Sequence, residues 1–166
     1  MEDKTTDLGP RKKHAKILAQ KIIKEIGMTE APTSLWKVIQ HIQTSRALDV
    51  QRMNVGEKVS GLLVVCKEVD GEYATIGFNQ NHSWHRRRFT IAHEIGHLLL
   101  GHTHSDHADD SHNEKEANAF AGELLIPTAL IKKDCKKSLD IEALAGLYNV
   151  SKEAITIKLM DTRLIR

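Results

Sequence analysis

The chain is poor in the residues that build several protein classes. Only Cys66 and Cys135 are present among 166 residues, far apart and in unlike contexts, which excludes a disulfide framework and a C-x-x-C metal pair. Two reduced thiols are the expected state. Two Trp, two Tyr and three Phe supply too few rings for a base-stacking surface. A net charge of +2, from 24 basic and 22 acidic residues, gives no bulk attraction to nucleic acid or anionic membrane. No apolar run approaches the length of a membrane span. The charged start Met1-Glu2-Asp3-Lys4 lacks the apolar stretch of a signal peptide, so the expected location is cytoplasmic. With three prolines and no Pro/Gly linker or internal repeat, a single domain over 1–166 is expected, with 1–9 polar and frayed.

Histidine is what the chain has in plenty. Ten are present, and eight of them cluster between His82 and His112. At the centre of the cluster stands RRRFTIAHEIGHLLLGH, residues 86–102. His93 and His97 lie four apart, so on a helix both imidazoles reach one ion. Glu94 is rotated off that line but is close enough to act as general base toward a water activated there. A pair of surface histidines beside a solvated glutamate is the bland alternative. It fits poorly between Phe89-Thr90-Ile91-Ala92 and Leu98-Leu99-Leu100. Gly96 would also cost helix stability unless another element approaches closely there.

Periodicity organises the rest. Apolar spacing predicts a helix over 11–28 whose lysines form a solvated outer face, and a second helix after Thr33 or Ser34. Period-two, β-branched segments predict strands at 47–53, 61–67 and 73–79, with Asp70-Gly71 as a hairpin signal. The expected class is α+β: a three-stranded antiparallel sheet packed on the histidine helix and surrounding helices. The last strand would border the cleft with a free edge, placing Phe78 and Asn79 near an extended peptide. Residues 101–113 read as a polar loop, and helices follow over 114–125, 128–135, 140–148 and 151–160.

A catalytic metal site needs a third protein ligand. The pattern in which a histidine follows a helix-breaking glycine is missed, since Leu100 and Thr103 hold those positions and Gly101, His102 and His104 fall out of register. His104, His107, His112, Asp106, Asp109 and Asp110 in the polar loop are a second source. A glutamate on the next helix is a third. Glu114 and Glu116 differ by about 200° around a helix, so only one can face the ion. Glu116, flanked by Ala117, Phe120, Ala121 and Leu124, is the better placed, while Glu114 opens the helix.

Residues 88–97, RFTIAHEIGH, together with Glu116-Ala117-Asn118-Ala119-Phe120-Ala121 and Leu124-Leu125-Ile126-Pro127, resemble the ImmA/IrrE family of zinc-dependent endopeptidases. The likeness is close over residues 75–130. It implies a zincin-like fold of gluzincin type, one zinc ion held by His93, His97 and Glu116, and Glu94 as catalytic base. It also implies a protein substrate: members cleave or inactivate a helix-turn-helix repressor, acting as antirepressors in mobile elements, phages or stress-response operons. One position departs from the thermolysin-type pattern, which sets an aspartate four residues after the ligand glutamate to orient the first histidine. Four after Glu116 is Phe120. Asn118 or a loop aspartate would have to serve instead. Candidates for stabilising the oxyanion are Tyr148, His82, His85 and Arg88.

Two rival readings follow from the same residues. One is a non-catalytic zinc-containing module that sequesters the repressor, against which stands the retention of a base. The other is a DNA-reading helix pair at 139–164. Its second helix offers chiefly Lys152 and Lys158 to phosphates and almost nothing to base edges, which favours a packing role.

Overall fold

The computed structural model describes residues 10–102 and 110–166. The frayed start expected at 1–9 and the loop candidates His104, Asp106, His107 and Asp109 lie outside them. The elements run α1 (Lys12–Glu25), α2 (Leu35–Gln43), β1 (Ala47–Met53), β2 (Gly61–Glu68), β3 (Gly71–Asn79), α3 (Trp84–Leu100), α4 (Asp110–Leu125), α5 (Thr128–Cys135), α6 (Ile141–Tyr148) and α7 (Lys152–Asp161). Among the described residues, side-chain oxygens open four of the helices. Ser34 accepts from Lys37 N at 3.3 Å, Ser83 from Arg86 N at 3.4 Å, Asp140 from Glu142 N at 2.9 Å and Ser151 from Ala154 N at 3.1 Å. Each satisfies a backbone donor that the first turn leaves unpaired.

The class is mixed α+β, but the sheet is not purely antiparallel. Its order is β1-β3-β2, with β1 parallel and β2 antiparallel to β3. The hairpin is present: Glu68 pairs with Gly71 across Val69-Asp70, and Gly71 takes φ 141°, open to glycine. What the alternation of residue types could not show is that β3 enters between its two predecessors. Segment 54–60 must therefore bridge the end of the sheet. Asn79, fully buried, braces that bridge by donating Nδ2 to the carbonyls of Val59 at 2.8 Å and of Val55 and Gly56, each at 3.2 Å. The central strand has no free edge. The free edge beside α3 belongs to β2, which corrects the expectation for β3 and the placing of Phe78 and Asn79 at the cleft.

The core forms where α1, α3 and α4 meet under the sheet. Ala15, Ala19, Ile95, Phe120 and Leu124 are all inaccessible to solvent. The two alanines, four apart, give α1 a narrow face against α4. Gly96 does the same for α3: a Cβ there would stand 3.0 Å from Phe120 Cδ1 and 3.3 Å from Ala117 Cα. Burying a Phe of this kind contributes about 1.5–3 kcal/mol, and glycine at 96 leaves room for the close approach of the two helices. Arg88 ties the layers, donating Nη2 to Thr33 O at 2.9 Å and Nε to Asn149 O at 3.1 Å, while Thr33 Oγ1 donates to Leu124 O at 2.6 Å.

The last two helices are packing elements. Leu144, Ala145, Tyr148, Val150, Ile155 and Leu159 face inward. Lys158, one of the two lysines a DNA reader would have offered, is buried and bound to Glu123 at 2.5 Å. Cys66 and Cys135 are free thiols. Among the described residues no helix is long and apolar enough to cross a membrane.

Candidate metal centre

The middle of α3 presents His93 and His97 to a cleft of about 570 Å³ bordered by the first residues of β2 and by α4. Their Nε2 atoms are 2.9 Å apart. The third group at this point is Glu114. Its Oε2 lies 3.1 Å from His93 Nε2 and its Oε1 3.0 Å from His97 Nε2. Three donor atoms thus converge, and the set His93, His97, Glu114 can hold a metal ion.

Glu116 is elsewhere, which corrects the choice made from its apolar flank. Its Oε1 accepts from Arg11 N at 2.7 Å and from Arg11 Nε at 3.4 Å, and its Oε2 faces His102 Nε2 at 3.1 Å. The physical reason lies in the faces of α4. Ala117, Phe120 and Leu124 pack inward, leaving two polar flanks. Glu114 and Asn118, four apart, share the flank toward the cleft. Glu116 and Glu123, seven apart, share the flank toward α1, where they meet Arg11 and Gln20. Furthermore, α4 begins at Asp110, inside the expected loop, so Glu114 sits beyond the first turn and is held by the helix.

The hydrogen bonds behind the histidines decide which nitrogens face the cleft. Asn118 Oδ1 lies 2.8 Å from His93 Nδ1. A carboxamide oxygen only accepts, so Nδ1 carries the proton and the Nε2 lone pair points to the cleft. His97 Nδ1 meets His102 Nδ1 at 3.0 Å, and His102 Nε2 meets the Glu116 carboxylate. With that carboxylate accepting, His102 holds its proton on Nε2 and its Nδ1 accepts from His97. His97 Nε2 then also turns a lone pair inward. Two imidazole lone pairs and a carboxylate facing one another at this range call for a cation between them. Burial, and after it the neighbouring His93, push His97 down to about 4, so a proton is a poor occupant at neutral pH. The donor set therefore fits a divalent ion, and nitrogen and carboxylate donors of this kind suit zinc.

Glu94 lies on the β2 side of the cleft. Burial first, and then the Glu114 carboxylate, raise it from 4.5 to about 7, into the range where a carboxylate exchanges protons readily. Its neighbour is Gly61 at the start of β2: a Cβ there would fall 2.4 Å from Thr90 Cγ2 and 3.0 Å from Glu94 Oε1. The strand can run this close to the base only without a side chain at 61.

The remaining sequence candidates are not brought to the cleft. Tyr148 is buried and donates its hydroxyl to Asp134 at 2.8 Å. His82 Nε2 meets Glu57 O at 2.9 Å, His85 is exposed on the first turn of α3, and Arg88 is spent on Thr33 and Asn149. Phe78 lines a separate depression with Trp36 and Trp84. The cations lining the metal cleft are Lys58 and Arg86, the latter donating Nη2 to Ser60 Oγ at 2.8 Å. Sequence reasoning missed both, and they carry no motif. Phe89 and Asn118 also line a second, largely apolar groove between α4 and α7, which borders the metal cleft.

The fold has a counterpart among solved structures. A Mycobacterium tuberculosis transcriptional regulator superposes with a TM-score of 0.63 at 17% identity over 86% of this chain. The match takes in 45% of the regulator, so this chain spans less than half the length of that protein, and the likeness is one of fold. No curated protein sequence matches the chain. Residues 45–160, from the first strand through the last helix, match the Peptidase_M78 family, described as the IrrE N-terminal-like domain, and the chain belongs to that family.

Proposed function

We propose that the chain is a zinc-dependent endopeptidase of gluzincin type on a zincin-like scaffold, with His93, His97 and Glu114 as ligands and Glu94 as catalytic base. The observation that carries this reading is the convergence of three cation-seeking donors beside a carboxylate raised toward neutrality. His93, His97 and Glu114 would hold the zinc ion, which would supply Lewis-acid polarisation of a peptide carbonyl and would acidify water. The chain does the rest. Glu94 takes the proton of the attacking water and returns it to the leaving amine. The free edge of β2 offers backbone donors and acceptors to an extended peptide, which Gly61 lets lie against Glu94. Asn118 holds the His93 imidazole while this happens.

The substrate follows from the family resemblance: a helix-turn-helix repressor, whose removal makes this chain an antirepressor. The apolar groove on the other side of Phe89 and Asn118 gives room for recognition beyond the cut bond. The test is co-incubation of the zinc-loaded chain with the repressor encoded beside it, read by intact mass. Cleavage by the wild type and none by Glu94→Gln, with equal metal content, is the expected result. Cleavage that survives Glu94→Gln would remove the base from the mechanism. Repressor bound but left intact by the wild type would favour sequestration.

A further inference from the structure

His102 has no part in the proposed chemistry, and its spacing from His97 excludes it as a ligand in the helix register. Yet it is a histidine with only 5% of its side chain exposed, beside an equally buried glutamate. Such groups are seldom buried without work to do.

Its position is set by the end of α3. Gly101 adopts a left-handed conformation, φ 72°, that an L side chain resists. His102 N then donates back to His97 O at 3.0 Å, closing the helix in a Schellman-type turn. That turn folds residue 102 under the last turn of α3 and brings its ring to 5.1 Å from the His97 ring, centroid to centroid. Glycine-histidine after the apolar run is therefore a device for reaching the far nitrogen of His97.

We propose that Glu116 and His102 form a positioning relay for His97: the carboxylate fixes the tautomer of His102, and His102 in turn fixes the tautomer and ring orientation of His97. The contacts form one line. Arg11 N donates to Glu116 Oε1 at 2.7 Å, Glu116 Oε2 accepts from His102 Nε2 at 3.1 Å, and His102 Nδ1 accepts from His97 Nδ1 at 3.0 Å. His97 is left with one arrangement, its Nε2 lone pair toward His93 and Glu114. A carboxylate two residues from the ligand Glu114 thus acts on the same centre from behind. The backbone at the start of α1 anchors the relay, so docking of that helix is coupled to the metal site. Asn118 performs the matching task for His93, and the two supports enter from opposite flanks of α4.

This inference rests on His97 being a ligand, and the experiment separates the two. Zinc affinity of the full chain is measured by competition with a chromophoric chelator for wild type, His102→Ala, His102→Gln, Glu116→Ala and the His102→Ala/Glu116→Ala double variant. Histidine tautomers are read by long-range nitrogen–proton NMR on the metal-free wild type. His102→Ala should weaken zinc binding by about 10- to 100-fold. His102→Gln should recover much of the loss, because its carboxamide oxygen can accept from His97 Nδ1. Glu116→Ala should weaken binding in the wild-type background and add nothing once His102 is gone. The metal-free wild type should show His97 protonated on Nδ1, a reading that needs no variant to fold. Additive losses, unchanged affinity in His102→Ala, or an Nε2-protonated His97 would overturn the relay. Failure of the wild type to bind zinc would instead overturn the metal site itself.

Discussion

His93 and Asn118, on neighbouring helices, meet through a single contact of 2.8 Å between Nδ1 and Oδ1, and that contact turns the other face of the imidazole to the cleft. Removing it leaves the ring free to flip and to exchange tautomers. Asn118→Ala is expected to weaken zinc binding by about 10- to 100-fold with little change in stability, since the residue is exposed on one side. Asn118→Asp preserves the acceptor and should bind at least as well as wild type. Competition titrations giving Asn118→Ala the wild-type affinity would remove Asn118 from this task.

Glu114 and Glu116 provide a sharper contrast. Glu114→Ala removes a proposed ligand and should lower zinc affinity by more than the roughly 100-fold upper range expected of an outer residue. Glu116→Ala should keep one equivalent of zinc, bound more weakly. Metal content after gel filtration in dilute chelator distinguishes them. Should Glu116→Ala be the variant that emerges metal-free, the assignment of ligands given by the geometry is reversed.

The two glutamates also show where sequence stops being legible. His93, Glu94 and His97 could be read because a helix fixes what lies four residues apart, and Gly96 because a small residue inside an apolar helix implies a close neighbour. Which polar flank of α4 faces the ion depends on how that helix is rotated between α3 and α1, and no local pattern encodes this. A signal was nevertheless present. Counting four residues from Glu116 gives Phe120, which cannot orient a histidine, whereas counting four from Glu114 gives Asn118, which does. The sheet fails to read for a similar reason. Alternation marks β1, β2 and β3 individually, but the insertion of β3 between the other two lies in its pairing with both and in a bridge that the buried Asn79 holds by contacts some 20–24 residues away in sequence.

Gly61 is predicted to be a steric gate to catalysis. Gly61→Ala places a Cβ 2.4 Å from Thr90 Cγ2 and 3.0 Å from Glu94 Oε1, so either the strand lifts from α3 or those side chains are displaced. Peptide cleavage should fall by at least about 100-fold, as a displacement of around 1 Å at a reacting group can cost, while zinc affinity stays within a few-fold. Thr90→Ser removes the methyl that makes the closest contact, so Gly61→Ala/Thr90→Ser should recover part of the activity. Equal activity of Gly61→Ala and wild type would mean that β2 does not border the reacting centre.

The ion pair of Glu123 and Lys158 anchors the far end of α4 and should govern the acid stability of the helix that carries Glu114. Burial alone would push the Glu123 carboxyl up. Lys158, at 2.5 Å, together with donors from Gln20 and Thr128, outweighs it and holds the carboxyl below its ordinary 4.5. A carboxyl depressed on folding contributes stability that is complete above its unfolded value and is lost as pH falls through its folded one. Urea unfolding of the metal-free chain should therefore lose stability more steeply below about pH 4.5 in the wild type than in a Glu123→Gln/Lys158→Met variant, which has no charge there to titrate. At neutral pH, Glu123→Ala alone should cost about 3–5 kcal/mol, because it strands a buried ammonium, and the double variant should cost much less. Parallel acid profiles for wild type and double variant would show that the pair is not what ties α4 to α1 and α7.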